Sequence, residues 1–225
     1  MENTPESIRR LIEELQRGDE FARAQASFAL GMLGEPAVAP LVELLYHDDR
    51  DVRMRAAWAL GVIGQPALPA LLALAESDDS SVRIEAIRVL GAIGEGRSLN
   101  QLFHALTDPD PRVAQRAAIA LGRIGDTRAF HPLLTAIHHP APDVRFAACN
   151  ALAHLHAAEA IQPLRELATD DISLTSWGAS VAEAALRAIQ EIEAANPQSA
   201  ADQFARVREL LRSAAPKSSH GSQGS

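Results

Sequence analysis

The sequence predicts an all-α right-handed α-solenoid of about six helix pairs, followed by one C-terminal helix. Three observations predict it. A glycine-centred motif recurs as FALGMLG (Phe28 to Gly34), WALGVIG (Trp58 to Gly64), VLGAIG (Val89 to Gly94) and ALGRIG (Ala120 to Gly125). Its aligned residues Gly31, Gly61, Gly91, Gly122 and Ala153 stand 30, 30, 31 and 31 positions apart, and a fixed period of this size marks an array of stacked units. Each period holds two stretches with apolar residues at helical spacing. Finally, alanine and leucine dominate while aromatics make up only 4%, a composition that favours helices because both residues lose little freedom there.

The elements follow in order. The first repeat closes on Gly34 and carries Asp19 ahead of its second helix. The second opens with AVAPLVELL (Ala37 to Leu45), preceded by Pro36, which suits a helix start where no amide donor is required. Its second helix follows Asp49, whose carboxylate can accept from the free amides of the first turn. There Val52, Ala56, Ala59, Leu60 and Ile63 share one face. ALPALLALA (Ala67 to Ala75), with Pro66 and Asp79, repeats this scheme, and Asp110 marks the same point in repeat four. AFHPLLTAI (Ala129 to Ile137) opens repeat five, whose second helix ends in the weaker ALAHLH (Ala151 to His156). AIQPLREL (Ala160 to Leu167) opens repeat six, and AEAALRAIQEI (Ala182 to Ile192) closes it, displaced by 34 residues with Arg187 in the glycine's place. The solenoid is expected over residues 1–194, with second helices ending near Gly34, Gly64, Gly94, Gly125, His156 and Glu193. A C-terminal helix is expected over 195–213, with Phe204, Val207, Leu210 and Leu211 on one face, and a disordered tail over 214–225. That helix either covers the last repeat, which has lost the glycine pattern, or lies in the groove.

The recurring DxxVRxxAAxALGxIG resembles the HEAT repeat in the short form of the phycobilisome-lyase-like proteins, over roughly residues 5–194. The resemblance implies stacked helix pairs whose second helices line a concave surface. It also implies a ladder in which the arginine after valine pairs with an aspartate of the neighbouring turn. Here that assigns Arg53, Arg83 and Arg145, with Asp49, Asp79 and Asp110 as partners. Ala114 stands at the arginine's place in repeat four, and repeat five has Ala141-Pro142-Asp143 in place of the aligned aspartate, so the ladder is expected to weaken at the last repeats.

If Val52, Ala56, Ala59, Leu60 and Ile63 face the core, the opposite direction falls between Met54 and Trp58, with Val62 at its edge. The same positions in neighbouring repeats add Phe28, Met32 and Ile84. These residues form an apolar first half of the groove, and a contiguous exposed apolar patch marks a binding surface. Their packing on one another as a second core is the competing reading. Further along, Arg88 and Arg123 make the inner middle relatively basic. The expected function is a non-catalytic scaffold that binds a protein or peptide in this groove. The family resemblance adds an alternative, a bilin lyase or phycobilisome-associated factor holding a tetrapyrrole with its propionates on Arg88 or Arg123.

Other chemistry finds little footing. With 21 basic against 29 acidic residues the net charge is -8, which argues against nucleic acid and anionic membrane as partners. The single cysteine, Cys149, excludes an intrachain disulfide and points to a reducing cytoplasm. Set among alanines, it reads as a small packing residue. No apolar run approaches a membrane span and MENTPESIRR lacks a signal's apolar core. His131, His138, His139, His154 and His156 cluster late, but His154 and His156 point about 200° apart on a helix, so no metal is expected. Related hydroxylases take their iron ligands from His-Glu pairs, and this chain has no His-Glu dipeptide. No cofactor and no catalytic residue are assigned.

Overall fold

The computed structural model describes residues 4–196. The predicted C-terminal helix and tail therefore lie outside the described residues. Within them the chain is a single α-solenoid of twelve helices: α1 (Pro5–Arg17), α2 (Glu20–Leu33), α3 (Val38–Glu43), α4 (Arg50–Ile63), α5 (Leu68–Leu74), α6 (Ser80–Ile93), α7 (Leu99–Ala105), α8 (Pro111–Ile124), α9 (Phe130–Ala136), α10 (Pro142–His154), α11 (Ile161–Asp170) and α12 (Val181–Ala195).

The two helices of a repeat differ in length. Second helices run for 13 to 15 residues, whereas α3, α5, α7 and α9 have only six or seven. Pro36 and Pro66 do not open these short helices directly. Each sits in a 3-10 turn, Glu35–Ala37 or Gln65–Ala67, which hands over to the α-helix at the next residue. The aspartates act as expected at the second helices. Asp19, Asp49, Asp79 and Asp110 accept from the amides of Ala22, Asp51, Ser81 and Arg112. Gly34, Gly64, Gly94 and Gly125 end those helices with φ near +70°, where a side chain would be strained. In repeat five His156 takes the same turn with φ 50°, and its carbonyl accepts from the Asn196 amide at 2.9 Å.

Two leucine spines run through the core. Leu30, Leu60, Leu90, Leu121 and Leu152 come from second helices and Leu41, Leu71, Leu102, Leu133 and Leu164 from first helices, all fully buried. Repeats two to five so contribute one leucine from each layer, and no pair buries its own face without a neighbour. Second helices of successive repeats pack directly on one another, while first helices barely touch. The second-helix layer is therefore the tighter, inner side of the curve.

Repeat six departs from the expected register. Leu186 is exposed, and the buried Val181, Ala185, Ala188, Ile189 and Ile192 align one for one with Val52, Ala56, Ala59, Leu60 and Ile63. Gln190, not Arg187, therefore occupies the glycine's place. The extra residues lie in the loop between α11 and α12, where Leu174 bridges Ser180 and Gly178 turns the chain.

Candidate partner-binding groove

On the inner layer Phe28, Met32, Met54, Trp58 and Val62 are exposed, Trp58 at 47%. The Phe28 and Trp58 rings lie 6.4 Å apart and tilted, so they touch without closing over one another. Ile84 differs from expectation. It is half-buried and packs against the core. Val62 lies over Gly31, where an added Cβ would come within 2.9 Å of it.

Beside Trp58 the surface dips into an open cavity of about 490 Å³. Ala24, Ser27, Met54 and Trp58 line its apolar part, and Ser27 is fixed by a 2.8 Å bond to the Arg55 carbonyl. Four guanidiniums, Arg50, Arg55, Arg88 and Arg116, and two carboxylates, Asp51 and Glu85, line the remainder. Arg55 pairs with Asp51 at 2.8 Å and Arg88 with Glu85 at 2.8 Å. The Arg55 guanidinium, with Arg23 behind it, holds the Asp51 carboxyl below its usual range. Nη2 of Arg88 is buried without a hydrogen-bond partner. Arg123 is exposed and does not line this cavity. Arg116, one turn of the solenoid beyond Arg88, does. The helical rows place Arg116 beside rather than on the inward direction, so this role is not legible from the pattern.

The arginine ladder exists, with different partners. Arg83 makes a two-pronged pair with Asp108, at 2.8 and 2.9 Å, and Arg145 makes one with Asp171, at 2.6 and 3.2 Å. Asp79 and Asp110 are not rungs. Asp79 caps its own helix, and Asp110 is held by Arg112 on its own helix at 2.6 Å, which keeps its carboxyl well below the usual range. Asp49 is a rung, but for Arg23 at 3.0 Å. Arg53 has no carboxylate. Its Nη1 donates to the carbonyls of His47 and Asp48, and its Nε is buried and unpaired. The ladder also does not fade toward the end, since Arg145–Asp171 is among the most buried pairs, with side chains 12% and 8% exposed. Burial alone would raise the Asp171 carboxyl, but its bonds to Arg145 and Ser173 outweigh that and lower it.

At the far end Phe146, on the inner face, is met edge-on by Trp177 at 5.5 Å, and Arg187 stands over its ring at 5.8 Å. Trp177 belongs to the inserted loop, which is anchored where the Ser176 amide donates to Asp143 at 2.7 Å. Burial pushes the Cys149 thiol up to about 12, which leaves it no thiolate at neutral pH. Among the described residues, no group of three or more His, Cys, Asp or Glu side chains converges on a metal-sized site, and no single helix is long and apolar enough to cross a membrane. His139 serves its own turn, its Nδ1 accepting from the Ala141 amide at 3.0 Å.

The sequence pattern of HEAT repeats matches residues 8–91, 43–114, 68–140 and 99–187. The chain belongs to the HEAT repeat family. Among solved structures this HEAT protein is similar to a chain from the complex of CpcE and CpcF of phycocyanin lyase from Nostoc sp. PCC7120. That match has 25% identity and a TM-score of 0.60, covering 68% of this chain and 97% of that one. A computationally designed armadillo repeat protein for modular peptide recognition matches at 18% identity and TM-score 0.49, over 82% and 99% of the two chains. Human deoxyhypusine hydroxylase matches at 17% and 0.42, over 84% and 96%. The last two likenesses concern the helical-repeat fold alone. No curated protein sequence matches.

Proposed function

We propose that this HEAT protein is a non-catalytic scaffold that takes a segment of a protein partner along its inner surface, with Trp58 as the anchor. One observation carries the reading: Phe28, Met32, Met54, Trp58 and Val62 lie exposed on the inner layer, while the two leucine spines of the solenoid are fully buried. Water contact with such a strip is unfavourable, and covering it stabilises a complex. Tryptophan is a common interface anchor, and methionine adapts its shape to varied surfaces. The likeness to a chain that forms the CpcE–CpcF complex supports partner binding as well.

Trp58→Ala is expected to weaken partner capture by about 2 kcal/mol or more, with an unchanged helical circular dichroism spectrum, because Trp58 is not part of the core. Equal capture by wild type and variant overturns the reading. The phycocyanin lyase likeness favours a second reading, a tetrapyrrole on Trp58 with its propionates on arginines. Arg88 already carries Glu85 and Arg123 lies outside the cavity, so the protein segment is preferred. A shift of bilin absorbance on titration with this chain, lost in Arg88→Ala, reverses that preference.

A further inference from the structure

The cavity beside Trp58 has a charge opposite to that of the molecule. The whole chain carries -8, yet this wall sets four guanidiniums against two carboxylates. Arg55 and Arg88 are matched by Asp51 and Glu85. Asp51 is further shared with Arg23 at 3.2 Å. Among the described residues, Arg50 and Arg116 have no carboxylate within ion-pair distance. Arg116 is half-buried, so its charge is less well screened by water than that of a fully exposed arginine. Arg88 adds a buried N–H group with no acceptor, which an arriving acceptor would relieve after a small rotation of the guanidinium. Trp58 and Met54 supply an apolar contact within the same cavity.

We infer that the occupant of this groove is a short acidic peptide segment of the partner protein. Its aromatic or aliphatic side chain lies on Trp58 and Met54, and its carboxylates meet Arg116 and Arg50. The inference rests on the reading of the groove as a protein-binding surface and specifies the chemistry that surface selects. A guanidinium matches a carboxylate with two parallel hydrogen bonds. A neutral segment would cover Arg116 without pairing it, which is costly. A nucleic acid requires many phosphate contacts and would meet the repulsion of a strongly acidic chain.

The chain has two tryptophans, so Trp177→Phe leaves Trp58 as the sole tryptophan reporter and keeps an aromatic ring against Phe146. In this background three ten-residue peptides are titrated while Trp58 emission is followed. One alternates glutamate with phenylalanine and leucine, one replaces each glutamate by serine, and one by lysine. The acidic peptide is expected to give a saturable shift, to bind at least about tenfold more tightly than the serine peptide, and to weaken with added salt. The lysine peptide is expected to give no shift. Arg116→Glu, checked for fold by circular dichroism, is expected to reduce acidic-peptide affinity about tenfold and leave the serine peptide unaffected. Arg116→Gln is expected to fall between. Equal binding of the serine and acidic peptides, or indifference to Arg116→Glu, overturns the charge assignment while leaving the apolar groove standing. Displacement of the acidic peptide by equimolar inorganic phosphate also overturns it, because the cavity is then a plain anion site. Silence of Trp58 toward all three peptides overturns the inference, and partner capture by Trp58→Ala then judges the broader reading separately.

Discussion

At the scale of single residues, the arginine after valine is a two-sided clamp. One side binds its own turn, as Arg83 Nη1 binds the carbonyls of Ser77 and Asp78 and Arg145 Nη1 those of His139 and Pro140. The other side reaches a carboxylate in the next repeat, when there is one. The residue that opens the turn decides this, two before the cap in repeats two to five and Asp171, directly after α11, in repeat six. His47, Ser77, Asp108, His139 and Asp171 all accept from the amide two residues on. Only Asp108 and Asp171 also bring a negative charge, and those two receive Arg83 and Arg145. Ser77→Asp is therefore expected to complete the pair missing at Arg53 and to raise stability by about 0.5–1 kcal/mol, moderated by the nearby Asp78 and Asp79. Thermal unfolding checks it, and Ser77→Asn, which keeps the turn without the charge, should give little of the gain. The ladder's existence is legible in the recurring arginines. Its partners are not, because aligning the acids by their cap position puts the carboxylate two residues too late.

At the scale of helices, the binary pattern is readable wherever the glycine repeats, and α2, α4, α6 and α8 each stop one residue before Gly34, Gly64, Gly94 and Gly125. Repeat six shows how the reading fails. The run Ala184-Ala185-Leu186 offers two apolar registers, and with no glycine to choose between them the copy is placed three residues early. Packing chooses the register that buries Ile189 and Ile192. The mid-helix glycines are also unequal in a way a sequence cannot display. At Gly91 a methyl would collide with Ala120, and at Gly122 it would meet the Ala151 backbone at 2.8 Å, whereas at Gly61 the nearest atom, on Val89, is 3.9 Å away. Gly91→Ala is expected to cost about 1–3 kcal/mol through forced separation of α6 and α8. Gly61→Ala is expected to be neutral or to stabilise by up to about 1 kcal/mol through helix propensity. Denaturant titration of the two variants compares them directly, and a large loss for Gly61→Ala would contradict the geometry.

At the scale of the whole molecule, these local differences coincide at one joint. Between α4 and α6 there is no arginine–carboxylate rung, and the glycine has room to spare. The cavity beside Trp58 bridges this same joint, with walls from α2, α4, α6 and α8. A repeat array is held together by nearest-neighbour interfaces, so its weakest interface sets where cooperativity breaks. Hydrogen exchange is expected to show α1 to α4 opening at lower free energy than α6 to α10. Ser77→Asp should narrow that gap, and uniform protection across the joint would contradict the account. The solenoid class was legible from its period, but the position of its loosest joint depends on which neighbours meet, and so does the cavity found there.

The loop that carries Trp177 has one further consequence. A regular array is translationally symmetric, and a bound chain can slip along it by one repeat into an equivalent place. Here the inner row reads Phe28, Trp58, Arg88, Ile119, Asn150 and Arg187, and it meets the Trp177 loop at one end. No two successive steps along it repeat the same pair of side chains. For a segment bound as proposed, each register meets a different set of side chains, which makes the surface an address rather than a track.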